Sequence, residues 1–276
     1  MPAKTWIYDL ILYMYALSLL FSFSDVASKS RSAKRMGTGL LAFVWLLQTA
    51  FIVIRIAEHR YVPVLTMFEA LFFYCWVLVT VSLMMNLFLR LDLLVFLLNV
   101  AGFSIMAMNF FSDPSATPIS EQWEAKDELV FIHITLAIGS YAAFLVAALL
   151  SGMYLFMHRK LKVRRWSAVM TRFPSLDKIE GYTYRAVLIG VPLLILSVAL
   201  GTAKVILEGD ARLLADPKVL SSLFCLAVYA FYLIQRVSAK QPGYMLAFWN
   251  LAAFTVVVVN FLVFNLYSGF HQWIWM

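Results

Sequence analysis

The sequence predicts an all-α integral membrane protein with about eight transmembrane helices and with both termini outside the cytoplasm. Of its 276 residues, 63% are hydrophobic and only 13% are charged, whereas a soluble domain carries about 45–50% apolar and about 25% charged residues. Apolar runs of about the 20 residues that a helix needs to cross a bilayer recur along the whole chain. Helices also satisfy their own backbone hydrogen bonds in lipid.

The apolar runs follow one another without a repeat or a Pro-rich or Gly-rich linker, which favours one polytopic membrane domain over residues 1–276. The first run has no small-residue cleavage site and is followed by basic residues, so we expect a retained span rather than a signal peptide. The fifth run exceeds what a bilayer requires, so its first turns should rise above the outer surface. The predicted helices lie at about 6–24, 38–57, 64–85, 92–111, 129–157, 184–203, 219–236 and 245–266.

The basic residues indicate the orientation of these spans. Fifteen of the 22 Lys and Arg residues lie in segments 25–37 and 158–183 or beside the other connections on that side, while the connection 112–128 is acidic. By the positive-inside rule the basic side is cytoplasmic, which places both termini outside. The net charge of +7 is thus a topology signal, and no nucleic-acid partner is expected.

No motif of a soluble enzyme occurs, since the chain has no phosphate-binding loop, dinucleotide fingerprint, metalloprotease helix or nucleophile elbow. Cys75 and Cys225 lie inside apolar runs without Cys-x-x-Cys spacing, so thiol–disulfide chemistry is not supported. We expect a protein that is not an enzyme.

Histidine supplies the candidate ligands. His133 opens the fifth predicted helix and His271 follows the eighth, so both should lie at the outer side at similar depth. Such a pair could be the two axial ligands of a haem iron, whose macrocycle suits the bilayer edge, or each could be an interfacial anchor. His59 is a competing outer ligand. His158 lies on the cytoplasmic side and is interpreted as one more interfacial cation.

Two ionisable residues lie at the edges of apolar runs. Arg55 lies near the end of the second run and Glu69 lies in the third, both towards the outer side. Charged groups in lipid normally face the bundle interior and find a partner. They could form a structural pair, or Arg55 could bind a haem propionate.

Several segments resemble the cytochrome c biogenesis CcsA/CcmC family. The stretch LVFIHITLAIGSYA from Leu129 resembles the family's outer helix end, in which a histidine precedes Ser-Tyr-Ala by seven residues. Further similar segments are YRAVLIGVPLLILSVALG from Tyr184, Asp216-Pro217-Lys218 and the C-terminal NLYSGFH that ends at His271. The resemblance thus covers most of residues 60–275. It implies that His133 and His271 are the two external haem ligands and that haem is the cofactor.

This chain differs from the family pattern at two places. The loop GDARLLADPK from Gly209 contains no tryptophan, whereas the family has a tryptophan-rich platform there, and Ile234 stands where CcsA-type members have a transmembrane histidine. The chain is therefore most similar to the HemX-like branch. That branch implies a bacterial plasma-membrane protein that senses or handles haem and regulates tetrapyrrole synthesis through the level of glutamyl-tRNA reductase.

The expected partner surface is the basic cytoplasmic loop 158–183, because a regulator of a soluble enzyme needs a cytoplasmic face. Two alternatives remain open at this point. The chain could be a cytochrome c maturation factor that passes haem to an outer acceptor, or a membrane scaffold without haem.

Overall fold

A computed structural model describes residues 3–59, 61–89, 91–112, 128–163, 173–207 and 214–262. These ranges hold eight α-helices, each long and apolar enough to cross a membrane. The prediction of an all-α integral membrane protein with eight spans is confirmed, while its orientation stays a prediction. The helices are α1 (Ala3–Ser28), α2 (Arg31–His59), α3 (Met67–Phe88), α4 (Asp92–Met108), α5 (Glu128–Lys162), α6 (Leu176–Leu207), α7 (Pro217–Val237) and α8 (Gly243–Leu262).

The fifth and sixth helices differ from their predicted bounds. α5 has 35 residues and ends at Lys162, which at 1.5 Å per residue makes it about 52 Å long. α6 begins at Leu176 rather than near Tyr184. The predicted loop 158–183 is therefore too long at both ends. Lys, Arg and Leu favour helix, so a helix can continue past the end of an apolar run. Residues 164–172 of that segment lie outside the described residues.

The chain divides into two compact units, one formed by α1 to α4 and the other by α5 to α8. In the first unit, α1 packs against α2 and α4, and α3 packs against the same two helices. The Tyr15 hydroxyl on α1 donates a hydrogen bond to Asn99 Oδ1 on α4, at 3.1 Å. A Cβ at Gly102 would lie 2.6 Å from that hydroxyl, so glycine is needed where α4 meets α1.

A reciprocal pair of Trp–Thr hydrogen bonds joins α2 to α3. Trp45 Nε1 donates to Thr80 Oγ1 at 2.8 Å, and Trp76 Nε1 donates to Thr49 Oγ1 at 2.9 Å. The two indoles stack with ring centroids 6.4 Å apart. These bonds satisfy polar groups that would be costly to leave unpaired in lipid.

The second unit has the same packing arrangement as the first. α5 packs against α6 and α8, and α7 packs against the same two helices. Its centre holds Phe144 of α5 stacked on Tyr229 of α7, with ring centroids 3.8 Å apart. A Cβ at Gly190 of α6 would lie 2.5 Å from the Phe144 ring, so this glycine makes room for the stack. Asn250 of α8 donates a hydrogen bond to Ser151 of α5 at 2.9 Å. These contacts fix the register of the helices that carry the candidate ligand.

Candidate functional site

His133 lies in the first turns of α5 and packs against the last part of α6. Its Nδ1 atom is 2.7 Å from the backbone carbonyl oxygen of Ser197. The Ser197 hydroxyl donates back to the backbone carbonyl oxygen of His133 at 2.9 Å. The two residues thus join α5 and α6 by bonds in both directions.

The carbonyl partner determines which ring nitrogen of His133 carries the proton. A carbonyl oxygen only accepts hydrogen bonds, so Nδ1 is the protonated nitrogen and the neutral ring has its lone pair on Nε2. This is the form in which imidazole binds a metal, with the other nitrogen donating to a carbonyl that orients the ring. The donor chemistry at His133 therefore fits an axial ligand of haem iron.

Gly201 of α6 leaves the space that the His133 ring of α5 occupies. A Cβ at this position would lie 2.9 Å from His133 Cε1 and 3.0 Å from Nδ1. These distances are shorter than carbon and nitrogen atoms tolerate, so any side chain here would displace the imidazole. Glycine in this helix therefore positions the candidate ligand, beyond the packing role expected for it from the sequence.

A buried cation lies at the same end of this unit. Lys218, in the first turn of α7, is 8% exposed, and its Nζ donates to the backbone carbonyl oxygen of Asn260 on α8 at 3.0 Å. Asp216 caps the helix by accepting a hydrogen bond from the Lys218 backbone N–H at 2.8 Å. The Lys218 ammonium also acts electrostatically on His133.

This cation stands in a polar cluster between α7 and α8. The Asn260 side chain accepts from the Ser221 hydroxyl at 3.0 Å and donates to Ser222 Oγ at 3.3 Å. Within this cluster the Lys218 Nζ has a hydrogen-bond acceptor in an apolar surround, which lowers the cost of burying it. A lysine near a histidine is a suitable partner for an anionic carboxylate such as a haem propionate.

The second predicted ligand, His271, lies outside the described residues. α8 ends at Leu262, and the bond between Lys218 and Asn260 places that end of α8 beside the start of α7. The pairing of His133 with His271 stays a prediction.

The other two predicted site residues belong to α2. Arg55 is 3% exposed and its Nη2 lies 2.9 Å from Glu69 Oε1. The pair between adjacent helices that the sequence suggested is therefore present. His59 is one turn further along α2, and its side chain lies outside the described residues.

Glu69 is bound on several sides. Its Oε1 also accepts from the Tyr61 hydroxyl at 3.1 Å, and its Oε2 accepts from the backbone N–H groups of Leu65 and Thr66 at 3.2 and 3.3 Å. Burial, together with the negative charge of Glu69, raises the pKa of the Tyr61 hydroxyl above its ordinary value. These contacts hold the turn between α2 and α3, so the geometry favours a structural role for Arg55. A role of Arg55 towards a propionate stays a prediction.

His158 lies at the other end of α5, between two tyrosine rings. Its ring centroid is 6.2 Å from that of Tyr154 and 5.4 Å from that of Tyr244, and both pairs are stacked. The sequence predicts an interfacial cation at this position, and the structure adds this aromatic packing. The contact with Tyr154 follows from the spacing of four residues within α5, whereas the contact with Tyr244 depends on how α8 is rotated against α5, which the sequence does not specify.

Sequence reasoning missed Ser197 and Lys218 as site residues. Lys218 carried a signal, since a lysine directly after Asp-Pro at the start of an apolar run is costly to bury without a purpose. Ser197 carried none, because its contact with His133 depends on the rotation of α6 against α5.

Comparison with known proteins places these residues in a family. Residues 64–271 match the family model described as Cytochrome C assembly protein. A protein named HemX from Brevibacillus brevis is 45% identical over 276 residues, covering 99% of this chain and all of the relative. A protein named HemX from Bacillus subtilis (strain 168) is 38% identical over 94% of each chain. A protein named Cytochrome c biogenesis protein CcsA from Mesostigma viride is 23% identical over 93% of this chain and 92% of its own length.

Proposed function

Because this chain belongs to the Cytochrome C assembly protein family, we propose that it is a haem-binding membrane protein in which His133 is an axial ligand. The observation that supports this most strongly is the bond from His133 Nδ1 to the Ser197 carbonyl oxygen, which leaves the lone pair on Nε2. Haem would supply the iron, and His271 is the candidate for the second histidine that would hold it.

In this proposal each neighbour of His133 has a distinct task. Ser197 orients the imidazole and sets its tautomer, and Gly201 leaves the space that the ring occupies. Lys218 is the candidate cation for a propionate. In this proposal Ser197, Gly201 and Lys218 neither transfer a proton nor form a covalent bond, so no catalytic activity is proposed.

We further propose that haem binding at this site is sensed and that it regulates tetrapyrrole synthesis at the opposite end of the same helix. α5 runs unbroken from the turn of His133 to the basic residues Arg159, Lys160 and Lys162. A displacement at the ligand can therefore reach the basic end through one rigid element. The resemblance to the HemX-like branch supports glutamyl-tRNA reductase as the soluble partner of this end, and the bacterial plasma membrane as its location.

Replacing Arg159, Lys160, Arg164 and Arg165 by Gln tests the regulatory part. The variant should keep its haem spectrum but lose its effect on the level of the reductase. A reductase level equal to that of cells with the wild-type protein, at the same membrane abundance, would contradict this part and leave the haem site untouched.

A second candidate function is delivery of haem to an outer acceptor during cytochrome c maturation, which the names of the CcsA relatives favour. The residues of this chain support it less well. Segment 209–218 contains no tryptophan, and Ile234 is 57% exposed on α7. Complementation of a strain that lacks its cytochrome c maturation factor separates the two, since the regulator should not restore holocytochrome.

A further inference from the structure

A shallow groove with a mostly apolar lining and basic residues at its rim runs along the first three turns of α2, at the end predicted to be cytoplasmic. Its volume is about 470 Å³. Its lining residues recur every three to four positions, so they share one face of the helix. They are Arg31, Lys34, Arg35, Thr38, Gly39 and Ala42.

The mouth of the groove carries uncommitted positive charge. Arg31 and Arg35 are exposed, and neither has an ion-pair partner among the residues that the structure describes. Lys34, by contrast, is bound to Asp92 of α4 at 2.5 Å. Two guanidinium groups one turn apart are well suited to bind a phosphate, because each presents a planar set of donors to its oxygens.

The floor of the groove is made by small residues. A Cβ added to Gly39 would meet no atom within 4 Å, and Ala42 contributes one methyl group. Thr38 is held by a hydrogen bond from Asn86 Nδ2 of α3 at 3.1 Å. Together with the Lys34–Asp92 bond, this contact ties two of the lining residues to α3 and α4.

Beyond the floor the same helix becomes apolar. Phe43 is 44% exposed and Leu46 is 57% exposed, as expected where a helix faces acyl chains. The groove thus leads from two neighbouring arginines at the predicted membrane surface to an exposed apolar surface one to two turns further along α2. A ligand that fits both parts has an anionic phosphate group joined to an apolar chain.

We propose that this groove binds one acidic phospholipid, with its phosphate at Arg31 and Arg35 and the upper part of an acyl chain along Gly39 and Ala42. Charge complementarity favours an acidic lipid over a zwitterionic one, because a headgroup with net negative charge is attracted to Arg31 and Arg35. The inference is independent of the haem site, since every residue in it belongs to the first unit.

Lipid retention by purified protein tests the proposal. Protein in detergent is mixed with phosphatidylglycerol or phosphatidylcholine, and the bound lipid is counted by native mass spectrometry. The R31Q/R35Q variant should bind phosphatidylglycerol roughly thirtyfold more weakly, since each basic group near an anionic headgroup changes binding about fivefold. Gly39→Leu keeps the charges but fills the floor, and it should also weaken binding.

The matched control is R159Q/K160Q, which removes two cations from the end of α5 and should leave binding unchanged. An equal loss in that variant would show general charge attraction and overturn the proposal, as would full binding by R31Q/R35Q or by Gly39→Leu. Inorganic phosphate in large molar excess should not displace the lipid, because it lacks the acyl chain. Displacement by phosphate would reduce the groove to an anion site and contradict the assignment.

Discussion

The Nδ1 atom of His133 and the backbone carbonyl oxygen of Ser197 lie 2.7 Å apart, across the interface of α5 and α6. In the neutral imidazole this contact keeps the proton on Nδ1 and leaves on Nε2 the lone pair that could bind iron. Because His133 Nδ1 bonds to a backbone carbonyl oxygen, substitution of the Ser197 side chain does not remove this hydrogen bond. The more informative substitutions are those that move the ring.

Gly201→Ala is expected to displace the His133 ring, since the added carbon would lie 2.9 Å from Cε1. The haem content of the purified protein should fall severalfold, or its absorption should change from low-spin to high-spin. The control is Gly152→Ala on α5, where an added carbon meets nothing within 4 Å and alanine should stabilise the helix by about 0.5–1 kcal/mol. Equal haem spectra in both variants would show that Gly201 does not position the ligand.

Arg55→Ala should destabilise the protein strongly, because it leaves the Glu69 carboxylate charged and buried. Breaking a buried ion pair from one side costs about 3–5 kcal/mol. The control is Lys34→Gln, which breaks a partly exposed pair with Asp92 and should cost about 0–1 kcal/mol. Thermal unfolding in detergent measures both.

The haem spectrum of the Arg55→Ala protein separates the two roles considered for this residue. A structural pair predicts an unchanged spectrum in the molecules that stay folded. Altered haem affinity with unchanged stability would instead assign Arg55 to a propionate.

Tyr61 should make the stability depend on pH in the alkaline range. Burial and the charge of Glu69 raise the pKa of its hydroxyl above the ordinary value of about 10. Above that pH the unfolded chain releases the proton while the folded protein keeps it, so stability falls as pH rises. Tyr61→Phe has no such proton, and its thermal midpoint should fall less between about pH 9 and pH 11. Parallel curves for the two proteins would contradict the raised pKa.

The orientation of the spans can be tested by cysteine accessibility. Ser115→Cys should react with an impermeant thiol reagent on intact cells, and Ser167→Cys should react only after the membrane is opened. Both positions lie outside the described residues, and the native Cys75 and Cys225 are buried free thiols that should stay unlabelled. Equal labelling of both variants on intact cells would overturn the orientation with both termini outside.

The sequence predicted the features that depend on composition along one helix. Apolar runs gave the number of spans, and the cost of a charge in lipid suggested the Arg55–Glu69 pair. It did not predict the contacts of His133 with Ser197 and Gly201, because these depend on how α6 is rotated against α5. The extension of α6 back to Leu176 was also missed, since hydropathy detects where lipid ends and not where a helix ends.

The absorption spectrum of haem-loaded protein in detergent tests the central claim most directly. The wild type and the His158→Ala and His59→Ala proteins should show a low-spin Soret band with resolved α and β bands, as two imidazole ligands produce. His133→Ala and His271→Ala should lose that pattern while remaining folded. A fully retained low-spin spectrum in the His133→Ala protein would contradict the assignment of His133 as an axial ligand.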